Sequence, residues 1–308
     1  FVSCRSCGEV MKCPHCDVSL SEHKGGRLIC HYCGYTQPMP KLCPKCGSKY
    51  ILGFKAGTQQ IEEKLKELYP GVRTLRMDAD TTRTKDSYEK ILSSFANGEA
   101  DVLIGTQMIV KGHDFPKVTL VGILAADLSL NASDYRAGER TFQLLTQAVG
   151  RAGRGVLPGE AVIQTYQPDH YAITCAAAQD YESFYQEEIL YRELSGYPPV
   201  AHMLAVQIYG KEEENVKQLA LRLTDVVKSN MDFLSGKQKE QSNKKIQVLG
   251  PAPANISKIN DIYRYVFYVK HAEYDVLVEV KDRLEETLRQ WQPRQMSIQF
   301  DFDPVSVL

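Results

Sequence analysis

The middle of the chain alternates short apolar runs with amphipathic segments. Runs such as VLIG and VTLVGILA are typical of strands that a parallel sheet buries on both faces, and helices cover those faces. The pattern predicts helices over 58–69 and 84–97. It predicts strands over 73–78, 101–105, 118–124 and 159–164. Ligands of such sheets bind at the carboxyl ends of the strands, so polar residues that follow a strand are candidates for chemistry.

The last third of the chain has a different pattern. A single amphipathic helix is predicted over 171–194, ended by Gly196 and the two prolines after it. Beyond it the pattern predicts, in order, a strand, a helix, two strands, a helix and a strand, over 202–210, 212–234, 246–250, 262–271, 273–291 and 296–304. This β-α-β-β-α-β order is that of a ferredoxin-like layer. A polar loop is expected over 235–245.

Length and composition favour a multidomain α/β protein. At 308 residues the chain is longer than the segment that one hydrophobic core usually organises. Its 43% hydrophobic and 24% charged content is ordinary for a globular protein. There is no run of about 18 apolar residues and no secretory signal, so we expect a cytoplasmic protein without membrane contact. It begins at Phe1, so we expect a part of a longer protein.

The charge balance restricts where a nucleic acid could bind. A formal net charge of −1 excludes the whole surface as a polyanion binder, because such binding requires concentrated Lys and Arg. Residues 1–55 lean basic, with eight Lys and Arg against three Asp and Glu. Any nucleic-acid surface is therefore expected to be local.

Eight of the nine cysteines lie in four Cys-x-x-Cys pairs near the start of the chain: Cys4/Cys7, Cys13/Cys16, Cys30/Cys33 and Cys43/Cys46. A two-residue gap lets a tight turn direct both thiolates at one tetrahedral ion. Disulfides are the alternative, but they belong to oxidising compartments. We therefore predict two four-thiolate zinc sites, whose metal supplies the folding energy that so short a segment lacks. The ninth cysteine, Cys175, is expected to be a packing residue.

The spacing leaves two ways to share the ions. A nested scheme joins 13/16 with 30/33 and 4/7 with 43/46, whereas an interleaved scheme joins 4/7 with 30/33. We favour nesting because it needs only one hairpin inside another. Three histidines, His15, His23 and His31, could also be ligands, but eight cysteines already fill two tetrahedral sites, so we expect surface or polar-contact roles for them.

Two polar stretches follow the predicted strands of the middle domain. The first is GTQMIVKGHDFPKV over 105–118, and the second is QLLTQAVGRAGRG over 143–155. In the second, Gln147, Arg151 and Arg154 are spaced by four and three, which predicts one face of a helix start, with glycines that let a phosphate approach. Paired guanidiniums suit a triphosphate. The alternative is a pair of solvated arginines beside a flexible loop.

GTQMIVKGHDFPKVTLVGILAADLSL, DYRAGERTFQLLTQAVGRAGRG and the eight-cysteine segment together resemble the bacterial primosomal helicases of the PriA family, superfamily-2 DNA helicases of replication restart. The resemblance runs the whole length of the chain. It implies a second, RecA-like helicase lobe that carries the two-zinc module as an insertion with nested pairing. It also implies roles for individual residues: Thr106 and Lys111 on the DNA strand, Gln147, Gly112 and Asp114 at the nucleotide, and Arg151 and Arg154 on its phosphates.

The chain departs from that family in what it lacks. It contains no G-x-x-x-x-G-K-[ST] phosphate loop and no D-E-x-H box, both of which belong to the first helicase lobe. We therefore expect a carboxy-terminal fragment that is inactive alone. The predicted domains are a zinc module, the second lobe, a helical connector and a ferredoxin-like domain, over 1–52, 53–168, 169–199 and 200–308.

Two functions are compatible with these features. The first is the carboxy-terminal half of an ATP-dependent DNA helicase, which implies Zn, ATP and Mg as cofactors. Its implied partners are forked or single-stranded DNA, single-stranded-DNA-binding protein, and primosome and helicase-loader proteins. The second is a non-catalytic zinc module that recruits partners to DNA. RNA as the substrate also stays open. Four residues near the PAPANIS turn could stack on bases or pack in a sheet: Lys258, Tyr263, Arg264 and Tyr265.

Overall fold

The fold is that of a computed structural model, which describes residues 2–4, 6–7, 9–16, 18–23, 26–30, 33–53, 57–79, 81–82, 85–110, 115–130, 134–155, 157–229 and 245–305. The chain divides into two compact units. One unit comprises residues 1–54 together with 189–308, and the other comprises residues 55–188.

The zinc module, predicted over 1–52, is built from very short strands, the last of which ends at Gly53. Strand β1 (Val2–Cys4) pairs antiparallel with β5 (Ile51–Gly53), so the two ends of the module close on each other. Between them, β2 (Ser21–His23), β3 (Arg27–Ile29) and β4 (Thr36–Pro38) form an antiparallel sheet of three strands. Half of the buried core residues here are cysteines. The cluster consists of Val2, Met11, Leu20, Leu28 and Ile51 together with Cys4, Cys13, Cys16, Cys30 and Cys43.

The second unit alternates helices and strands as the apolar pattern predicts. Its elements are α1 (Thr58–Leu68), β6 (Thr74–Met77), α2 (Lys85–Ala96), β7 (Val102–Gly105), β8 (Leu120–Ile123), α3 (Asp127–Leu130), α4 (Ala137–Val149), β9 (Glu160–Ile163) and α5 (Tyr171–Ala178). Helix α6 (Tyr181–Ser195) follows. Strands β6 and β7 pair in parallel, and so do β8 and β9. Parallel pairing is therefore confirmed for these four strands. Burial on both faces is not, since the described strands form two separate pairs and Leu120 and Val162 of the second pair are exposed.

The core of this unit lies between helices. Phe142 of α4 stacks on Phe184 of α6 with ring centroids 4.0 Å apart. Leu145, Ala172, Ile173, Ala176 and Ala126 complete the buried cluster. This cluster holds α4, whose carboxyl end leads into the arginine-rich stretch, in a defined position.

The prediction of one helix over 171–194 is wrong, because the chain breaks into α5 and α6. Gln179 adopts a left-handed conformation with φ of 55° and ends α5. The carboxylate of Asp180 then accepts hydrogen bonds from the backbone N–H and the hydroxyl of Ser183, at 3.0 and 2.6 Å. These contacts lower the pKa of Asp180. An aspartate that caps a new helix is what separates the two helices.

The C-terminal domain has the predicted element order, but the prediction of a strand over 246–250 followed by a PAPANIS turn is wrong. The second strand continues through PAPANIS to Ile259, where a hairpin turn ends it. The domain consists of β10 (His202–Gly210), α7 (Glu213–Ser229), β11 (Gln247–Ile259), β12 (Ile262–His271), α8 (Tyr274–Trp291) and β13 (Met296–Phe302). All neighbours in the sheet order β11-β12-β10-β13 are antiparallel. Helix α7 and α8 bury one face of the sheet around Leu204, Phe267, Leu223, Leu277 and Leu284. The end of the predicted helix at 230–234 and the polar loop up to 244 lie outside the described residues.

Among the described residues, no helix combines the length and the apolar character that crossing a membrane requires.

Candidate functional site

The four Cys-x-x-Cys turns share one backbone geometry. In each turn the N–H of the first cysteine donates to the carbonyl five positions later, at 2.8 or 2.9 Å, in the pairs Cys4/Glu9, Cys13/Val18, Cys30/Tyr35 and Cys43/Ser48. Gly34 and Gly47 follow the second cysteine of their turns in left-handed conformations, with φ of 76° and 70°. Glycine adopts this conformation without steric cost, so the local sequence folds each pair into a turn that leaves both sulfurs on one side.

The turns meet in two clusters. The sulfurs of Cys4, Cys7, Cys43 and Cys46 all lie within 4.8 Å of one another, and so do those of Cys13, Cys16, Cys30 and Cys33. We call these the outer and the inner site. The nested arrangement is confirmed, and the interleaved one is wrong because the inner hairpin brings 30/33 back to 13/16.

The spacing of the sulfurs fits a four-thiolate metal site. Neighbouring Sγ atoms are 3.6 Å apart in Cys4/Cys46, 3.7 Å in Cys7/Cys43 and 3.6 Å in Cys13/Cys33. Zn–S bonds of about 2.3 Å in a tetrahedron place sulfurs roughly 3.8 Å apart. A disulfide requires about 2.05 Å, and the nine cysteines are unbridged. The geometry therefore excludes disulfides and suits a soft divalent ion.

The electrostatics of the thiols also favour a cation between them. At Cys4, burial opposes ionisation, but the N–H groups of Cys7 and Ser6 outweigh it and lower the pKa to about 6. Burial and two neighbouring thiols raise the pKa of Cys16 to about 12. Crowded sulfurs thus resist carrying several negative charges at once. A divalent ion removes this repulsion and lets all four ionise.

Of the three histidines in the zinc module, the structure describes the side chain of His15. His15 makes polar contacts, with Asp261 at 2.7 Å and edge-on with the ring of Tyr35, as predicted. His31 and the side chain of His23 lie outside the described residues. Both clusters have their four sulfurs without any histidine.

The second candidate site is the arginine-rich stretch that follows α4. The prediction that Gln147, Arg151 and Arg154 share one face of a helix start is wrong. Gln147 is exposed on the last turn of α4, the helix ends at Val149, and both arginines lie in the turn beyond it. Arg154 is exposed and folds back, its Nε donating to the carbonyl of Gly150 at 2.6 Å.

Glycine is required at two positions of this stretch because other backbone segments approach closely there, which sequence reasoning missed. Gly153 has φ of 71°, and a Cβ there would lie 2.7 Å from the backbone nitrogen of Gly159. A Cβ at Gly155 would lie 2.0 Å from the carbonyl oxygen of Pro116. The N–H of Gly153 also donates to the carbonyl of Val118 at 3.1 Å. The arginine turn is therefore bound tightly to the end of the first polar stretch, at Pro116 and Val118.

The first polar stretch is described only in part. Thr106 is exposed directly after β7, at the carboxyl end of the strand, where ligands of parallel sheets bind. Gly105 before it is required sterically, since a Cβ there would lie 2.6 Å from the carbonyl oxygen of Met77 on the neighbouring strand β6. The other predicted residues of this stretch, Lys111, Gly112 and Asp114, lie outside the described residues.

The four candidate residues at the end of β11 and the start of β12 divide between stacking on bases and packing in the sheet. Tyr265 is buried in the core of the C-terminal domain, so it packs rather than stacks on a ligand. Arg264 lies 5.8 Å over the ring of Tyr209. Lys258 is engaged within the chain, since its Nζ donates to the carbonyl of Pro14 in the zinc module at 3.1 Å. Sequence reasoning missed this last contact, because 244 positions separate the two residues.

Comparisons with known proteins agree with this arrangement. Residues 42–156 match the helicase conserved C-terminal domain family, residues 13–38 match the PriA DNA helicase Cys-rich region, a zinc ribbon, and residues 193–305 match the primosomal protein N C-terminal domain. The chain thus contains the C-terminal domain of a helicase together with a cysteine-rich zinc ribbon. The clusters and this match both support zinc as the metal.

Relatives narrow the class to one family. The chain is 43% identical to the replication restart protein PriA of Bacillus subtilis, over the whole chain and 37% of that relative. It is 40% identical to that of Synechocystis, over the whole chain and 36% of the relative. The chain belongs to the PriA family and corresponds to its C-terminal part. It spans less than half the length of these relatives.

Proposed function

We propose that this chain is the C-terminal part of an ATP-dependent DNA helicase of superfamily 2, which restarts stalled replication forks and assembles the primosome. The observation that carries the proposal is the match along the whole chain to replication restart proteins, with the helicase family match covering both polar stretches. The runner-up, a non-catalytic zinc module that recruits partners to DNA, leaves the arginine turn without a role.

The second unit would supply one side of the nucleotide site. Arg151 and Arg154 stabilise the charge that spreads over the γ-phosphoryl oxygens during transfer, since guanidiniums are planar and stay charged. Gln147, Gly112 and Asp114 take part on the nucleotide side, with Mg bound to the phosphates. The opposing side belongs to a first lobe with its own phosphate loop, so the chain alone hydrolyses no ATP.

DNA would bind at the carboxyl ends of the parallel strands. The exposed position of Thr106 after β7 supports a contact with the DNA backbone, and Lys111 adds a positive charge to the same stretch. Because the end of the first polar stretch, at Val118, is hydrogen-bonded to the arginine turn through Gly153, a displacement of one would displace the other. This connection fits a motor that couples DNA movement to hydrolysis.

The eight cysteines would hold two zinc ions per chain, one in the outer and one in the inner site. A RecA-like second lobe, a ferredoxin-like C-terminal layer and the four domain ranges given above complete the proposed organisation. The zinc module and the C-terminal domain would meet forked or single-stranded DNA, single-stranded-DNA-binding protein, and primosome and loader proteins. Its place would be the cytoplasm.

The test requires the longer protein that contains the upstream lobe. Arg154→Ala should lower DNA-stimulated ATP hydrolysis by about 10³- to 10⁵-fold, as removal of an arginine finger does. Arg73→Ala is the matched control, because Arg73 is an exposed arginine of the same unit that pairs with Asp101 at 2.6 Å. It should leave hydrolysis near the unaltered rate. A rate of ATP hydrolysis that Arg154→Ala leaves unchanged would favour the non-catalytic module instead.

A further inference from the structure

The turn between β11 and β12 of the C-terminal domain reaches the zinc module. Asn260 and Asp261 both have positive φ, 50° and 59°, and Ile259 pairs with Ile262 across them. Two left-handed residues between paired strands form a tight hairpin turn. We call Lys258–Asp261 the hairpin tip. It belongs to the same compact unit as the cysteine clusters.

Three hydrogen bonds join the hairpin tip to the turn that contains Cys13 and Cys16. The N–H of Asn260 donates to the Sγ of Cys16 at 3.2 Å. The N–H of Asp261 donates to the carbonyl of His15 at 2.9 Å. The ammonium of Lys258 donates to the carbonyl of Pro14 at 3.1 Å. The tip therefore contacts three consecutive residues of one metal-binding turn, including a metal ligand.

Side chains strengthen the same contact. The carboxylate of Asp261 lies 2.7 Å from His15 Nδ1 and 3.2 Å from Lys258 Nζ, so it links the turn to the tip. Ile259 packs against the buried cluster that contains Cys13, Cys16 and Cys30. The interface is thus both polar and apolar, and its donors and acceptors are matched.

The donor to Cys16 comes from outside its own turn. Cys4 receives N–H groups from Ser6 and Cys7, and Cys7 receives one from Glu9, all within their own turn. Cys13 likewise receives N–H groups from His15 and Cys16. Cys16 receives an N–H from Asn260, 244 positions further along the chain.

We propose that the hairpin tip is a working part of the inner site, so that metal binding there and docking of the C-terminal domain on the zinc module stabilise each other. An N–H that donates to a thiolate stabilises the charged form and orients the ligand, and loss of such supporting contacts weakens metal sites. The coupling acts in both directions, because a linkage between two binding equilibria is reciprocal. Asn260 and Asp261 are positioning residues rather than ligands.

This inference rests on the zinc-binding part of the proposed function and adds an asymmetry between the sites. In the described contacts, the hairpin tip meets the turn of the inner site and not those of the outer site. The outer site therefore serves as a control within the same molecule. Metal should leave the inner site faster when the tip is weakened, while release from the outer site stays unchanged.

The direct test uses the full chain loaded with NMR-active cadmium, which binds four thiolates as zinc does. Scalar coupling across an N–H···S hydrogen bond gives a correlation between the cadmium and the donor proton. We expect such a correlation between the inner-site cadmium and the amide proton of Asn260. The amide of His15, which donates to Cys13, is the positive control. Correlation to His15 without correlation to Asn260 would overturn the proposal.

A pair of double variants tests the consequence for metal release. In K258A/D261A, loss of cadmium from the inner site to excess chelator should accelerate about tenfold, the lower end of what loss of supporting contacts produces. K281A/D282A is the matched control: it removes the same residue types from an exposed ion pair of 3.1 Å on α8. It should leave both sites unchanged.

The outcomes separate this inference from the zinc assignment. Absence of both four-thiolate cadmium signals would overturn the metal assignment and this inference together. Two signals that decay at unaltered rates in K258A/D261A, or that accelerate equally at both sites, would overturn this inference alone. Should the double variant fail to fold by circular dichroism, Asp261→Asn keeps the turn while removing the charge. It should still accelerate release from the inner site selectively, and equal release from both sites would contradict the proposal.

Discussion

The zinc module and the C-terminal domain lie in one compact unit but are held together by different forces. The five strands of the zinc module have three residues each, and half of its buried core is cysteine. The C-terminal domain has strands of seven to thirteen residues, with two long helices over a predominantly apolar core. The comparison contrasts an antiparallel sheet built around metal-binding cysteines with one built on apolar burial.

Size explains the difference. A segment of about fifty residues buries too little apolar surface to offset the conformational entropy of folding, so a metal has to contribute. About a hundred residues with a four-stranded sheet and two helices can build a core of their own. The hairpin tip of the second region then adds hydrogen bonds to the first.

The largest effect should come from removing the metal. Structural zinc contributes about 10–16 kcal/mol of apparent binding free energy, which in a small module is folding free energy. A strong chelator should therefore unfold the zinc module and leave the C-terminal sheet folded. Hydrogen exchange on the full chain measures this: amides of β1–β5 should lose protection, and those of β10 and β12 should retain it. Equal loss in both regions would show that the comparison is wrong.

Removing apolar contacts should destabilise the C-terminal domain and leave metal binding by the zinc module unchanged. Leu223 of α7 is fully buried in the C-terminal core, whereas Leu221, two positions before it, is 39% exposed. Leu223→Ala should lower the free energy of unfolding of that domain by about 2–5 kcal/mol, because it leaves a cavity. Leu221→Ala should change it by only about 0.5 kcal/mol.

Denaturant unfolding followed by the single tryptophan, Trp291 of α8, reports this domain. The content of bound metal should not change in either leucine variant. Equal destabilisation by both substitutions would contradict the assignment of the core to this face of the sheet.

A backbone change in a cysteine turn should have the smallest effect. Gly34 has φ of 76°, and no atom lies within 4 Å of the position that a Cβ would take. Gly34→Ala therefore introduces backbone strain without a clash. The left-handed conformation costs a side-chain-bearing residue about 1–2 kcal/mol, which corresponds to zinc binding at the inner site weakened about fivefold to thirtyfold. Competition with a chelator measures the change.

Gly122→Ala is the control for this substitution. Gly122 lies in β8 of the other unit, has open space and needs no positive φ, so zinc affinity should not change. Unaltered affinity in Gly34→Ala would mean that the turn tolerates a different conformation while it still binds the metal.

Local periodicity predicted the C-terminal domain closely. The observed bounds of β10 and β12 are those predicted, because alternation over nine or ten residues leaves little ambiguity. Prediction failed where a single polar residue or a run of glycines decides the backbone. Asp180 begins a new helix within a helical pattern, and the chain leaves α4 at Gly150 although the pattern of Gln147 and Arg151 continues.

Spacing along the chain predicted which cysteines lie together, but not every contact that supports them. The sequence by itself determined the four cysteine turns, because a two-residue gap is local geometry, and it left the nested scheme as the favoured one of two. Only the tertiary structure decided for the nested scheme, by bringing the sulfurs into two clusters. It also decided that Asn260 donates to Cys16 and that Gly153 meets Gly159. Backbone N–H groups and glycine contacts leave no side-chain pattern in a sequence, so distant segments had to be brought together before these contacts existed.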